Sequence, residues 1–82
     1  MLKPSAMQLY RNDKDSNLWV TTIGSYGKQL NLTEIAQEIR AKGLPEDEVD
    51  AKILSHVDSS VTCEEISIIL AETRKELRRL KQ

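Results

Sequence analysis

Five basic side chains lie close together near the C-terminal end of the sequence, and they are the densest set of groups that could do chemistry. We call them the basic arc: Arg74, Lys75, Arg78, Arg79 and Lys81. Residues 72–82 carry five bases and two acids, a net charge of +3, whereas residues 1–71 carry seven bases and eleven acids, a net charge of −4. Five cations could bind nucleic-acid phosphates. The logarithm of the binding constant would then fall with the logarithm of the salt concentration, with a slope of about 0.9 per phosphate neutralised.

The rest of the sequence argues against nucleic-acid binding as the main role. The formal net charge is −1, and the aromatic residues Tyr10, Trp19 and Tyr26 all lie far from the basic arc along the chain. A helix-turn-helix built around Gly43 would open its recognition helix with acidic residues at 46–48 and 50, which repel phosphate. Phosphate binding by the basic arc is therefore the alternative hypothesis.

No set of residues predicts catalysis or metal binding. His56 is the only histidine and Cys63 the only cysteine, and their spacing is not that of a metal site. Cys63 follows a helix cap that favours a thiolate, but Glu64 and Glu65 oppose the thiolate by repulsion. Residues 24–28 have two residues between their glycines, where a P-loop needs four. We expect a protein that is not an enzyme and needs no cofactor or metal.

The first element that must position these groups is a β-hairpin. Two runs of apolar, β-branched and aromatic residues flank the polar residues 12–17, which are a dense turn signal. A symmetric loop places Tyr10 opposite Trp19 and Leu9 opposite Val20. Because Trp is usually well buried and the chain has no Phe, we expect the aromatic pair to face the helices. If the hairpin instead turns its aliphatic face to the helices, Tyr10 and Trp19 would be an exposed aromatic anchor for a partner.

Three helices follow, and two of them begin with the same capping pattern. Asn31 with Glu34 predicts one capping box, and Thr62 with Glu65 predicts another. The first helix ends at Gly43, a residue suited to the left-handed conformation past a helix end. The apolar residues expected in the core from the first helix are Leu32, Ile35, Ala36 and Ile39. The second helix starts after the proline at 45, and its expected core residues are Val49, Ile53 and Val57.

The third helix changes character along its length. Residues 66–71 are apolar almost all round and need burial, whereas the stretch after residue 72 keeps only two leucines among its charges. An apolar seam follows this helix in steps of three and four residues: Leu70, Thr73, Leu77 and Leu80. The seam either packs on the other helices of the same chain or joins the helix to a partner, and the sequence leaves both open.

The sequence predicts a single small α+β domain over residues 1–82. We expect a loose leader at 1–5, a hairpin region at 6–30 with a third short strand near Gln29 and Leu30, and a three-helix region at 31–82. A domain of this size buries only about 60% of the surface that the unfolded chain exposes. Self-association would therefore help its stability.

These patterns favour a non-enzymatic protein-interaction or regulatory module. We expect it to associate with itself as a homodimer, or with another protein, through the C-terminal amphipathic helix. A lone cysteine and the lack of a signal-peptide pattern predict a cytoplasmic location. No apolar run approaches the roughly 18 residues of a membrane span, so no membrane partner is expected.

Overall fold

A computed structural model describes residues 7–21, 29–58 and 61–81. Along the chain the elements are β1 (Gln8–Arg11), β2 (Leu18–Thr21), β3 (Gln29–Asn31), α1 (Leu32–Lys42), α2 (Glu46–Leu54) and α3 (Cys63–Leu80). The strands form one antiparallel sheet in the order β1-β2-β3, so the predicted α+β arrangement with a third short strand is confirmed. The predicted leader at 1–5 and the glycine turn at 24–28 lie outside the described residues.

The hairpin has the predicted register, with Tyr10 opposite Trp19 and Leu9 opposite Val20. Its loop is closed by backbone bonds from Asn12 N–H to the Asn17 carbonyl at 2.9 Å and from Ser16 N–H to the Asn12 carbonyl at 2.8 Å. The Asn12 side chain also accepts from a loop N–H at 2.8 Å. Polar side chains thus satisfy backbone groups that the turn takes out of the ladder.

The aliphatic face of the hairpin packs on the helices, and the expectation that the aromatic pair would do so is wrong. Leu18 and Val20 are buried, whereas Tyr10 is exposed and Trp19 is only half-buried. Alternate residues of a strand share a face, so Arg11, opposite Leu18, also points to the helix side. This orientation of the hairpin brings the Arg11 guanidinium to a buried carboxylate on α3. With the other face towards the helices, that carboxylate would lack Arg11 as a partner.

The helix ends follow the predicted chemistry. Thr62 and Glu65 form a complete capping box, whereas at α1 the Asn31 side chain accepts from Glu34 N–H at 3.0 Å without the reciprocal backbone bond. Gly43 has a φ of 60° and donates its N–H to the carbonyl of Arg40. The left-handed conformation at this position favours glycine, and it ends α1.

The core lies between the helix side of the sheet and the three helices. Its buried apolar residues are Leu18, Val20, Leu32, Ile35, Ala36, Ile39, Val49, Ile53, Val61, Ile69 and Leu77. The stripe predicted for α1 is confirmed. For α3 the expectation is only partly right, because Ile69 is buried but Ile68 and Ala71 are exposed. Among the described helices, none combines the length and apolarity needed to cross a membrane.

Candidate functional site

Glu76, on α3, is the most deeply buried carboxyl group among the described residues, with 2% of its surface exposed. Arg11 donates to it from Nη1 at 3.2 Å and Nη2 at 3.1 Å. Arg79 donates from Nε at 3.0 Å and Nη2 at 2.6 Å, and the Thr33 hydroxyl donates at 2.6 Å. We call these four residues the Glu76 cluster.

The Glu76 cluster joins four elements of the fold. The Leu18 N–H, on β2, donates to the Thr33 hydroxyl at 2.7 Å, and that hydroxyl in turn donates to Glu76. Arg11, on β1, also donates to the Ser16 carbonyl in the hairpin loop at 2.7 Å. A single side chain of α3 therefore holds the hairpin, α1 and its own helix in register through hydrogen bonds.

The electrostatics of the cluster keep Glu76 ionised. The Arg79 guanidinium, with Arg11 and the Thr33 hydroxyl, holds the pKa of Glu76 well below its usual range, although burial opposes this effect. The same contact raises the pKa of Arg79. Two guanidinium groups face one carboxylate, so the cluster carries a net charge of +1. A buried carboxylate is tolerated here because five donors replace its hydration.

The structure shows most of the basic arc engaged within the chain. Arg74 pairs with Glu46 and with Asp50, the latter at 2.8 Å, and so joins α3 to α2. Lys75 pairs with a neighbouring carboxylate one turn away on α3, and Arg79 belongs to the Glu76 cluster. Among the described residues, Arg78 and Lys81 are the members of the arc without an ion pair. Three of the five residues of the arc are therefore ion-paired within the chain.

The seam of α3 faces the core of its own chain. Thr73 is fully buried and donates its hydroxyl to the Ile69 carbonyl at 2.7 Å, and Leu77 is buried in the core cluster. Leu70 and Leu80 are partly buried and pack against the same cluster. Association with a partner through this seam would require α3 to leave the core.

The apolar side chains that remain exposed on the sheet belong to β1. All four residues of this strand are exposed, including Leu9 at 40% and Tyr10 at 41%. The Tyr10 hydroxyl donates across β2 to the Gln29 side chain at 3.3 Å. Of the predicted aromatic anchor, Tyr10 is therefore available at the edge of the sheet, whereas Trp19 lies further in.

Trp19 lines an open cleft of about 640 Å³ between β3, the N-terminal half of α1 and His56. The Trp19 Nε1 and His56 Nε2 atoms are buried and have no hydrogen-bond partner among the described residues. His56 Nε2 lies 3.5 Å from a carboxylate oxygen of Glu38.

Cys63, at the start of α3, is exposed. In the part of the chain that is described, no three His, Cys, Asp or Glu side chains are grouped to hold a metal ion.

Glu38, on α1, accepts hydrogen bonds from Lys52 Nζ at 2.7 Å and Lys42 Nζ at 3.1 Å. These two contacts, with that of Lys52 the larger, lower the pKa of Glu38 from 4.5 to about 2. Lys52 lies on α2, so the interaction connects α1 with α2. Glu38 and Glu76 are thus two carboxylates whose ionised forms the fold stabilises.

These two carboxylates predict a loss of stability in acid. Because their pKa values are lower in the folded state than in the unfolded chain, the stabilisation is complete above about pH 5.5 and declines as the pH falls through 4.5. Thermal unfolding followed by circular dichroism from pH 7 to pH 2 measures this. A melting temperature unchanged down to pH 3 would contradict it, and Glu38→Gln should make the decline shallower.

The sequence did not predict the Glu76 cluster, since Arg79 was interpreted as a possible phosphate contact and neither Arg11 nor Thr33 was singled out. One signal was present in the sequence. Glu76 lies three residues after Thr73 and directly before Leu77, so it falls on the same side of α3 as the seam. A carboxylate on a buried helix face requires cationic partners, which identifies the position but not the partners.

Comparisons of the chain with protein-family models, curated proteins and solved structures found no match. The functional conclusion therefore depends on the geometry of this chain alone.

Proposed function

We propose that this chain is a small non-enzymatic interaction module that acts as a homodimer joined through strand β1. The observation that carries the proposal is the exposure of all four residues of β1, Leu9 and Tyr10 included. β1 pairs with β2 on one side, and no other described strand pairs with its outer edge. The unpaired N–H and C=O groups of such an edge form a template for another strand.

Strand pairing accounts for the exposure of both apolar side chains at once. Leu9 lies on the helix side of the sheet with Val20, and Tyr10 lies on the outer side with Trp19. A partner that docks on one face of the sheet would cover Leu9 or Tyr10 but not both. A strand added at the β1 edge would contact both residues, because its own side chains alternate between the two faces.

A second copy of the chain fits this edge. Two identical antiparallel strands are related by a twofold axis, so each copy offers the same patch to the other. In the register with Leu9 opposite Leu9 of the second copy, Gln8 lies opposite Tyr10 and no like charges face each other. The one charged residue of β1, Arg11, is already bound to Glu76. A domain of this size also gains stability from the additional burial.

This interface differs from the one expected from sequence. Self-association through the C-terminal helix would use Leu77 and Thr73, but both are buried inside their own chain. The alternative, nucleic-acid binding by the basic arc, has two unpaired cations to draw on among the described residues, Arg78 and Lys81. The exposed edge of β1 can pair with another strand without unfolding any element.

The test is the solution mass as a function of concentration, measured by sedimentation equilibrium for the protein and for Leu9→Lys. In the proposed register the new lysine faces its own copy, and like charges directly opposite each other oppose pairing. We expect a concentration-dependent dimer, weakened at least about tenfold by Leu9→Lys, which corresponds to about 1.4 kcal/mol.

Ile68→Lys is the matched control, since Ile68 is similarly exposed but lies on α3. This variant should dimerise as the parent protein does. A protein that remains monomeric up to about 1 mM, a concentration at which even weak pairing is populated, would refute the proposal. Equal weakening by Ile68→Lys would place the interface on α3 instead. Circular dichroism of both variants verifies that they remain folded.

A further inference from the structure

We propose that Arg11 and Arg79 together form a binding site for a phosphate monoester at the surface beside Glu76. Both guanidinium groups are held by the same buried carboxylate, yet their side chains are 43% and 47% exposed. One face of each group is therefore fixed by the protein while the remainder is accessible to solvent. This site does not require the dimer proposed above, although it shares Arg11 with strand β1.

The unused donors can be read from the hydrogen bonds. Arg11 uses its two Nη atoms for the Ser16 carbonyl and Glu76, and Arg79 uses Nε and one hydrogen of Nη2 for Glu76. A guanidinium has five N–H donors. Within the described residues, two donors of Arg11 and three of Arg79 therefore have no partner. These donors are the groups that an incoming anion would meet.

The carboxylate that holds the two arginines does not compete with a ligand for hydrogen bonds. Glu76 already accepts five, from Arg11, Arg79 and Thr33, and a carboxylate offers about four lone-pair sites. The net charge of +1 on the Glu76 cluster can therefore be neutralised by an external anion. Arg78 and Lys81, which have no ion pair among the described residues, lie within two residues of Arg79 in the sequence and increase the local positive potential.

The geometry suits a phosphate better than a carboxylate. Because each guanidinium donates two hydrogen bonds to the same Glu76 carboxylate, the two groups are close neighbours. The three terminal oxygens of a phosphate monoester can reach both groups, whereas the two oxygens of a carboxylate suit one. At pH 7.5 the monoester is a dianion, since its second pKa is about 6. The arginines are also preorganised, which lowers the entropic cost of binding.

The experiment titrates the isotopically labelled protein with inorganic phosphate, O-phosphoserine and adenosine monophosphate, and follows the Nε–H resonances of the arginines by NMR. We expect saturable shifts at Arg79 and Arg11, and at least about fivefold weaker binding in Arg79→Lys, which keeps the charge but loses the planar fork. Arg74→Lys is the matched control, since Arg74 pairs with Glu46 and Asp50 on α2 instead of with Glu76, and its replacement should not affect binding.

The outcomes distinguish the possible sources of the phosphate group. They also show whether the proposed site exists. Tighter binding of adenosine monophosphate supports a nucleotide ligand, tighter binding of O-phosphoserine supports a phosphorylated protein, and equal binding supports recognition of the phosphate group alone. Absence of saturable shifts at Arg79 and Arg11 in the parent protein overturns the site, whether or not Arg79→Lys folds. Equal shifts with unphosphorylated serine, or equal weakening by Arg74→Lys, also overturn it.

Discussion

Replacement of Glu76 by alanine should destabilise the protein by about 3–5 kcal/mol, because it removes one partner from a buried ionic cluster. The variant leaves the Thr33 hydroxyl without its acceptor and two guanidinium groups facing each other without the carboxylate between them. Small domains have total stabilities of about 5–15 kcal/mol, so a loss of this size would leave a large unfolded fraction. Urea unfolding at 25 °C, followed by circular dichroism, measures the difference.

Glu72→Ala is the matched control for this prediction. Glu72 lies one turn earlier on α3 and pairs with the exposed Lys75 at 3.2 Å. A surface pair of this kind contributes about 0–1 kcal/mol, so the control should unfold nearly as the parent does. Equal losses for the two variants would show that Glu76 contributes nothing beyond a surface carboxylate. Glu76→Gln, which keeps an acceptor but not the charge, should fall between them and unfold less steeply in acid.

Leu77→Ala should destabilise the folded protein by about 2–5 kcal/mol, with the same loss at every protein concentration. Leu77 is buried in the core that α3 shares with α1, α2 and the sheet, so its truncation leaves a cavity. If instead this leucine served mainly as a dimer contact, the loss would grow smaller on dilution of the protein. Urea unfolding at two concentrations about tenfold apart distinguishes these results.

Ile68→Ala provides the comparison on the same helix. Ile68 is among the exposed large apolar residues, so the truncation removes few packed contacts and should cost less than about 1 kcal/mol. A similar loss for Ile68→Ala and Leu77→Ala would mean that α3 is rotated from the orientation described here. A large loss for Leu77 alone supports the seam as part of the core.

The parts of the fold that follow from local rules could be predicted from the sequence. The polar loop at 12–17 fixes the hairpin register, and the caps at Asn31, Gly43 and Thr62 set the helix ends, because each depends on groups a few residues apart. The stripe of α1 is equally local, since residues three and four apart share a helix face. These features need no knowledge of the tertiary arrangement.

The candidate sites depend on partners distant in sequence, which local rules do not provide. Thr33 lies 43 residues from Glu76 and Arg11 lies 65 residues from it. The same limit explains the wrong hairpin face. The burial preference of Trp19 favours one face of the hairpin, whereas the buried carboxylate of Glu76 requires Arg11 on the side of the helices. The hydrophobicity of the strand residues alone does not determine which face of the hairpin packs on the helices. The charged Glu76 on the core side of α3 does determine it.

The bond from Leu18 N–H to the Thr33 hydroxyl has a consequence for amide hydrogen exchange. β3 ends at Asn31, opposite Trp19, so for Leu18 the Thr33 hydroxyl takes the place of a further strand carbonyl. Exchange of this amide requires β2 to separate from α1, whereas the ladder amides exchange when the strands themselves part. The Leu18 amide therefore reports opening between the sheet and the helices, separately from fraying of the sheet.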